Sequence, residues 1–498
     1  MHDILPGSGI AAVYHDAEEN YQRARRVLKR IIQKALHGLS SRINTSGGPA
    51  GEPLLVFNTL SWPRTSVVML PGEKEVLSGY EVFDHRGKRV VSQVVELDPD
   101  NAGLLFRAED VPATGYRLYK LRSSRSRRSY DNPLRVSTTL LENELLRVEI
   151  DPAKGLITRI YDKRAGREVL AAKGVGNLLE LFEDKPKDWD AWNIGYTGVS
   201  WKLDRADKVE VTERGPLRAT VKIRKSFLGP TKPRRQLATS FPSSFFTQEI
   251  SLYAGSPLLE VRNRFDWWED QILCKVAWEL NVSSDTAYYE IPTSAIGRPT
   301  TRNNDWEKAR YEVPALRWAD LSESTYGVSL ITDSKYGYDV EGNRMRLTLL
   351  RSPVWPDPAA DRGTHEFRYA LFPHQGDWRR GGTVRTAMEF CQPLLVQRTV
   401  SHKGVLPFSG RGFISCSAEN VVISTFKLAE DGEGFIVRCY EACGRATEAV
   451  ITLPPHAVTA RESDLIERSL ADLPLLDGRL SFSIAPYEIK TFRIQFAQ

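Results

Sequence analysis

The chain has 498 residues, of which 41% are hydrophobic and 26% charged, and a formal net charge of +5. At roughly 100–200 residues per domain this length implies three or four domains, and the apolar-to-charged balance is that of a soluble globular protein able to bury its own core. The small excess of positive charge offers no footing for nucleic acid or an anionic membrane surface, and the absence of an apolar run of about 18 residues excludes a helical membrane span.

The first element predicted is one long helix over residues 13–36. Tyr14, Ala17, Tyr21, Ala24, Leu28, Ile31 and Ala35 recur at steps of three and four, and Val27, Ile32 and Leu36 widen the stripe. Glu18 and Glu19 lie early and Arg26, Lys29 and Arg30 later, the order that the helix dipole favours. A lone amphipathic helix must pack on something.

"NTSGGPAGEP" (44–53) is a Gly/Pro linker. After it the chain becomes a series of short β-branched and aromatic runs, such as "LLVFNTLSWPRTSVVML", "LLRVEID", "LRATVKIRKSF", "RMRLTLLRSP" and "IKTFRIQF". Leu146, Val148 and Ile150, and again Phe492, Ile494 and Phe496, alternate at the strand period. Many strands with turn residues between them, and almost no second helix, argue for stacked β-sandwiches. Further boundaries are expected at "RSSRSRRSYDNP" (122–133) and "VQRTVSHKGVLPFSG" (396–410).

Familiar catalytic signatures are absent. There is no G-x-x-x-x-G-K-[ST], no G-x-S-x-G, and "HEFRY" lacks the second His of a metalloprotease helix. The eight His are scattered, with no pair at i, i+4 on a helix, and the five Cys form neither a disulfide framework nor a zinc-finger spacing. Reduced thiols and a cytoplasmic location are expected, since no leader-like segment precedes His2. What stands out instead is three loops dense in Trp, Asp, Asn and Arg: "EDKPKDWDAWNIG" (183–195), "FDWWEDQ" (265–271) and "RPTTRNNDWEKARYE" (298–312). A pyranose offers apolar C–H patches and a rim of hydroxyls, which suit flat indoles and planar hydrogen-bonding groups. On composition alone the favoured reading is that the same residues pack sandwich ends and cap turns.

Seven stretches in order, "HDILPGSGIAAVY", "VFNTLSWPR", "DKPKDWDAWNIG", "RPTTRNNDWEKARYE", "RWADLSESTYGVSLITDSKYGYD", "LLRSPVWPDPAADRGTHEFRYALFPH" and "PYEIKTFRI", resemble the C-terminal half of glycoside hydrolase family 38 α-mannosidases of the bacterial or cytosolic type. The resemblance implies a mainly β fold. A helical-bundle remnant (1–45) would precede a small β-sandwich (46–125), a large supersandwich similar to galactose mutarotase (134–395) and a C-terminal β-sandwich (396–498). It implies a retaining, zinc-dependent hydrolase of terminal α-mannosides, with mannose-containing glycans as substrates.

By the same resemblance "HDILPG" makes His2 a zinc ligand and Asp3 a contact to mannose. Neutral imidazole suits zinc, and a carboxylate accepts sugar hydroxyls. Trp189, Asp190, Trp192, Arg302, Asp305 and Trp306 become candidate substrate-binding residues. Asn193 stands where the family pattern commonly has Asp. No segment resembles the family's H-x-D zinc motif or supplies its nucleophilic Asp, so no catalytic residue is assigned within these 498 residues. Met1, directly before the His2 motif, reads as an internal start, a split gene or a fragment. The expectation is an inactive portion that binds no zinc by itself and pairs with a separate N-terminal mannosidase half. The alternative is a noncatalytic carbohydrate-binding or assembly module.

Overall fold

The computed structural model describes residues 7–98, 100–124, 130–229 and 243–497. His2 and Asp3 lie outside them, as does part of the Arg-rich stretch at 122–133. The described chain is dominated by antiparallel strands and separates into two compact units. One comprises Met1–Lys34, Asp131–Tyr289 and Gly297–Cys391; the other comprises Ala35–Tyr130, Glu290–Ile296 and Gln392–Gln498.

The first unit is built on a nine-stranded and a six-stranded antiparallel sheet, with a smaller five-stranded sheet over residues 135–168. One large apolar cluster fills it. Leu179, Leu181, Cys274, Val276, Trp278 and Leu347 come from the six-stranded sheet, and Val221, Ile250, Val261, Phe265, Leu330 and Tyr369 from the nine-stranded one. One set of polar side chains buried within it is mutually satisfied. Gln248 donates to Asn263 at 3.0 Å and accepts from Asn177 at 3.1 Å, while the Tyr369 hydroxyl accepts from Gln248 and donates to Asn177. Such a closed set fixes one packing of the interior, because any slip would strand several buried dipoles.

The second unit contains two sandwiches. Strands Glu52–Asn58 and Gly115–Ser123 pair in a five-stranded sheet, which shares the core of Val56, Leu70, Val82, Leu104, Phe106 and Tyr119 with a three-stranded one. The C-terminal sandwich closes over Val437, Cys439, Ile451, Leu480, Phe482 and Phe492. There the buried carboxylate of Glu441 accepts from the backbone N–H groups of Cys443, Gly444 and Tyr487 and from the Asn420 amide. It thereby pins the turn that follows its strand.

Two expected boundaries sit differently in the structure. Strand Leu395–Arg398 hydrogen-bonds to Glu52–Asn58, so the residues placed at the start of the last domain complete the first sandwich. Residues 41–45 are tied to β-structure as well: Ile43 is fully buried beside Leu55, Phe57 and Leu118, and the Lys120 ammonium donates to the Thr45 carbonyl at 2.6 Å.

The long helix runs Ala11–Ser40, beyond the span read from periodicity at both ends. Ala17 is buried and Leu36 packs against the Ile43 cluster. Tyr21, Leu28 and Ile31, however, are 54%, 58% and 57% exposed, and Val27 and Ile32 also face solvent. The apolar stripe read from the sequence is therefore largely uncovered.

Lys225, on strand Arg218–Phe227, is buried, and its ammonium donates to the Leu203 carbonyl at 2.6 Å. Burial pushes its pKa down to about 7, against the opposing pull of Asp204. Between that value and the unfolded value of about 10.4 the unfolded chain holds a proton that the folded chain lacks, so this site makes stability rise with pH. Lys225→Met is expected to raise the melting temperature at neutral pH by a few degrees and to remove part of the upward drift between pH 7 and 10. Melting curves across that range check both effects.

Candidate functional site

In the six-stranded sheet, strand Ile272–Glu279 pairs on one side with Leu178–Asp184 and on the other with Arg344–Arg351. Alternation sends Leu179, Leu181, Cys274, Val276 and Leu347 into the core. It sends Glu180, Phe182, Asp184, Leu273, Lys275 and Arg346 to the opposite face. That outer face floors a cavity of about 360 Å³, whose walls are Ile194 and Tyr196 on one side and Arg302, Lys308, Arg310 and Tyr311 on another.

Charges on the floor are matched. The Lys275 ammonium lies 2.6 Å from Asp339 and 3.6 Å from Glu312, and donates to the Tyr311 carbonyl at 2.8 Å. Arg346 bonds Asp339 at 2.6 Å and Glu341 at 3.2 Å, and Thr348 donates to Glu312. Lys275 and Thr348 thus fasten the end of the 298–312 segment to the sheet. Its beginning is shaped by a capping box around the short helix Asp305–Lys308. The Asn304 side chain accepts from the Glu307 N–H, and Glu307 reaches back to the Asn303 N–H and the Thr301 hydroxyl.

The Trp-rich loop springs from the edge of the same floor. Arg351 organises it: the guanidinium pairs with the buried carboxylate of Asp184 and donates to the carbonyls of Asp190, Ala191 and Asn193. Asp184 also accepts from the Gly195 N–H at 2.7 Å, closing the loop's neck. Trp189 sits in the left-handed region with φ +65°, an uncommon conformation for a bulky residue and of a kind that clusters at binding sites. Its ring meets Trp192 edge-on at 5.9 Å and Trp355 at 4.9 Å, and Trp192 and Trp355 lie 5.5 Å apart. All three indoles are about half exposed. Three mutually packed rings open to solvent make a rigid apolar platform.

Of the residues singled out from sequence, Trp189 and Trp192 come together on this platform. Asp190 does not present its carboxylate outward. It is buried and accepts from the Gln271 amide at 3.3 Å and the Val354 N–H at 3.4 Å, so it locks the loop to its neighbours. Arg302 lies apart from the indoles, in the cavity wall. Asp305 and Trp306 are exposed on their helical turn, Trp306 at 84%. Within "FDWWEDQ", Trp267 is fully buried in the core, Glu269 accepts from Ser244, and Asp270 takes a two-pronged bond from Arg362, so that loop serves packing.

Sequence reasoning missed Trp355, Arg351, Lys275, Arg310 and Tyr311 as contributors. The signal available for Trp355 and Arg351 is the strand alternation of "LLRSPVWPDP", followed by an isolated Trp. Among the described residues no group of three His, Cys, Asp or Glu side chains gathers as a metal site. Cys439 is buried in its strand. No helix among the described residues is long and apolar enough to cross a membrane.

The outer face of one sheet thus carries a cavity of about 360 Å³ and, beside it, an indole platform, on a mainly β chain. Comparison with known proteins gives the family. Residues 141–359 match the Glycosyl hydrolases family 38 C-terminal domain and residues 420–492 the Glycosyl hydrolases family 38 C-terminal beta sandwich domain. The chain is 31% identical to alpha-mannosidase 2C1 of Mus musculus over 99% of its own length and 44% of that protein's. It is 27% identical to alpha-mannosidase G of Dictyostelium discoideum over 99% of its length and 47% of that protein's. An alpha-mannosidase structure from Enterococcus faecalis V583 superposes with a TM-score of 0.80 at 18% identity, over 97% of this chain and 60% of that one, which establishes the likeness of fold. The chain belongs to glycosyl hydrolase family 38 and carries that family's C-terminal domains. It spans under half the length of these curated relatives.

Arg351→Ala is expected to destabilise the first unit by roughly 3 kcal/mol or more, because it leaves the Asp184 carboxylate buried with only a backbone N–H as partner. It should also weaken the near-ultraviolet circular dichroism contributed by the packed indoles. Chemical denaturation and near-ultraviolet spectra measure the two effects separately.

Proposed function

We propose that these residues form the β-domain portion of a zinc-dependent α-mannosidase that removes terminal α-linked mannose with retention, and that they wall one side of its pocket. Similarity to α-mannosidases along 99% of the chain carries this reading. A retaining hydrolase requires a nucleophile and an acid/base carboxylate about 5–5.5 Å apart, and both are expected from the part of the relatives that this chain does not span. His2 would join that part in holding zinc, which when bound polarises sugar oxygens as a Lewis acid, and Asp3 would accept a mannose hydroxyl. On this chain Trp189, Trp192 and Trp355 offer the apolar face of the sugar a stacking surface. Arg302, Asp305 and Trp306 form the second candidate contact region.

The same reading gives the uncovered helix face its partner. Tyr21, Val27, Leu28, Ile31 and Ile32 form an exposed apolar stripe, and an exposed Leu or Ile gains about 1.5–3 kcal/mol on burial. A contiguous patch of this kind marks an interaction surface. Its occupant in this proposal is the N-terminal portion present in the longer relatives.

Three outcomes are expected. Purified and assayed with an aryl α-mannoside and added zinc, the 498-residue chain turns over no substrate beyond a mock-purified control. Turnover above that control contradicts the division of labour. Dialysed against metal-free buffer, it retains no stoichiometric zinc; retention means that these residues hold a complete site. In sedimentation velocity the chain self-associates as concentration rises, and the double variant Leu28→Glu, Ile31→Glu does not, with the main melting transition of both unchanged. Equal self-association of the variant removes the stripe from the proposal. Tight binding of mannobiose without turnover, in a chain that does not self-associate, would favour the noncatalytic carbohydrate-binding alternative, for which the indole platform speaks.

A further inference from the structure

The cavity beside the indole platform has a charge pattern of which the mannoside reading uses Arg302 alone. Arg302 and Arg310 line it, and Arg298 lies against both in the adjoining crevice with Tyr289 and Val313. Arg298 lies over the Tyr289 ring at 4.7 Å and donates to the Pro314 carbonyl at 3.2 Å. Arg302 reaches only the Thr301 carbonyl, at 3.5 Å. Among the described residues none of these three guanidiniums forms an ion pair with a carboxylate. Elsewhere in the same unit Arg159, Arg167, Arg344, Arg351 and Arg368 are all ion-paired.

Of the nearby acids, Glu307 feels the charge of Arg310 but is bonded to the Asn303 N–H and the Thr301 hydroxyl, and the others have cations of their own. Asp339 is shared between Lys275 and Arg346, Asp184 belongs to Arg351, Glu183 to Lys185, and Glu341 to Arg346. Lys308 adds a further cation, opposed by the solvent-exposed Asp305 at 3.6 Å. Burial pushes the Arg298 pKa down, with Tyr289 opposing and the neighbouring Arg310 adding a smaller push in the same direction.

The rest of the wall is aromatic and aliphatic. Phe182 and Tyr196 meet edge-on at 5.5 Å, Tyr311 is 44% exposed, and Ile194 and Leu273 complete the apolar part. A volume of about 360 Å³ falls at the lower end of the range for small-molecule sites. Guanidinium forks match phosphate and carboxylate oxygens, and the rings match the C–H face of a pyranose.

From this we infer that the cavity is a binding site for an anionic monosaccharide, with its phosphate or carboxylate held by Arg302 and Arg310 and its ring against Tyr311, Tyr196 and Phe182. The site shares Arg302 with the contact region proposed for mannosides but stands on the charge and shape of the described residues, because binding here requires no catalytic group.

Isothermal titration calorimetry on the full chain tests it, with mannose 6-phosphate, mannuronic acid, mannose and inorganic phosphate as probes at low and moderate salt. The two charged sugars are expected to bind at least tenfold more tightly than mannose and than phosphate alone, with affinity falling as salt rises. Arg302→Gln and Arg310→Gln should each weaken the charged sugars by at least tenfold. Arg107→Gln, in a basic crevice of the second unit, should leave them unchanged. Both cavity arginines reach solvent, so the variants should melt like the parent, and melting curves verify it. Mannose binding as tightly as its phosphate, or affinity that survives both cavity variants, overturns the anion site. Inorganic phosphate matching mannose 6-phosphate overturns the sugar part of the inference, as does loss caused by Arg107→Gln.

Discussion

The alternation of one central strand, Ile272–Glu279, organises everything at the candidate site. Its inward residues Cys274, Val276 and Trp278 are buried in the unit's main core, so its register cannot slip without turning them to solvent. Once that register is fixed, Leu273 and Lys275 must face outward. Pairing with Leu178–Asp184 and Arg344–Arg351 then brings Phe182, Asp184, Arg346 and Arg351 around the same floor. The site is the outer surface of a sheet whose position is dictated by its inner surface. Lys275 links the two roles, since its buried ammonium both compensates Asp339 and holds the 298–312 segment by the Tyr311 carbonyl.

Much of the architecture was legible because it rests on local patterns. The stripe from Tyr14 to Ala35 marks a helix whatever it packs against, and alternation such as Leu146, Val148 and Ile150 marks a half-buried strand. The helix ran longer than its stripe because its termini depend on backbone hydrogen bonds, among them Val13 N–H to the Ile10 carbonyl and Ser41 N–H to His37. Domain edges were less legible. Strand Leu395–Arg398 is separated from its partner Glu52–Asn58 by more than 300 positions of sequence, and composition carries no trace of such a pairing.

The site was legible in part for the same reason. Trp189 and Trp192 share one loop and were found together. Trp355 and Arg351 reach that loop only through the pairing of distant strands, so no spacing rule exposes them. Asp190 shows the opposite failure. An acid between two tryptophans invites a sugar-binding role, yet its carboxylate is buried against Gln271 and Val354. "FDWWEDQ" has the same composition as the functional candidates, but Trp267 belongs to the core. Composition identifies residues able to bind a sugar; only strand register decides which of them face solvent.

Membership of glycosyl hydrolase family 38 gives this sheet face its meaning. In the proposed reading, a domain whose interior is closed by its own core contributes to a larger enzyme through the surface it leaves open. Here that surface is the indole platform and the cavity beside it. Hydrogen–deuterium exchange of the chain with and without saturating α-linked mannobiose tests the claim directly. The account requires added protection within residues 184–196 and 351–356, with the C-terminal sandwich unchanged. Protection confined to strands of the C-terminal sandwich, or none at 184–196, would contradict it.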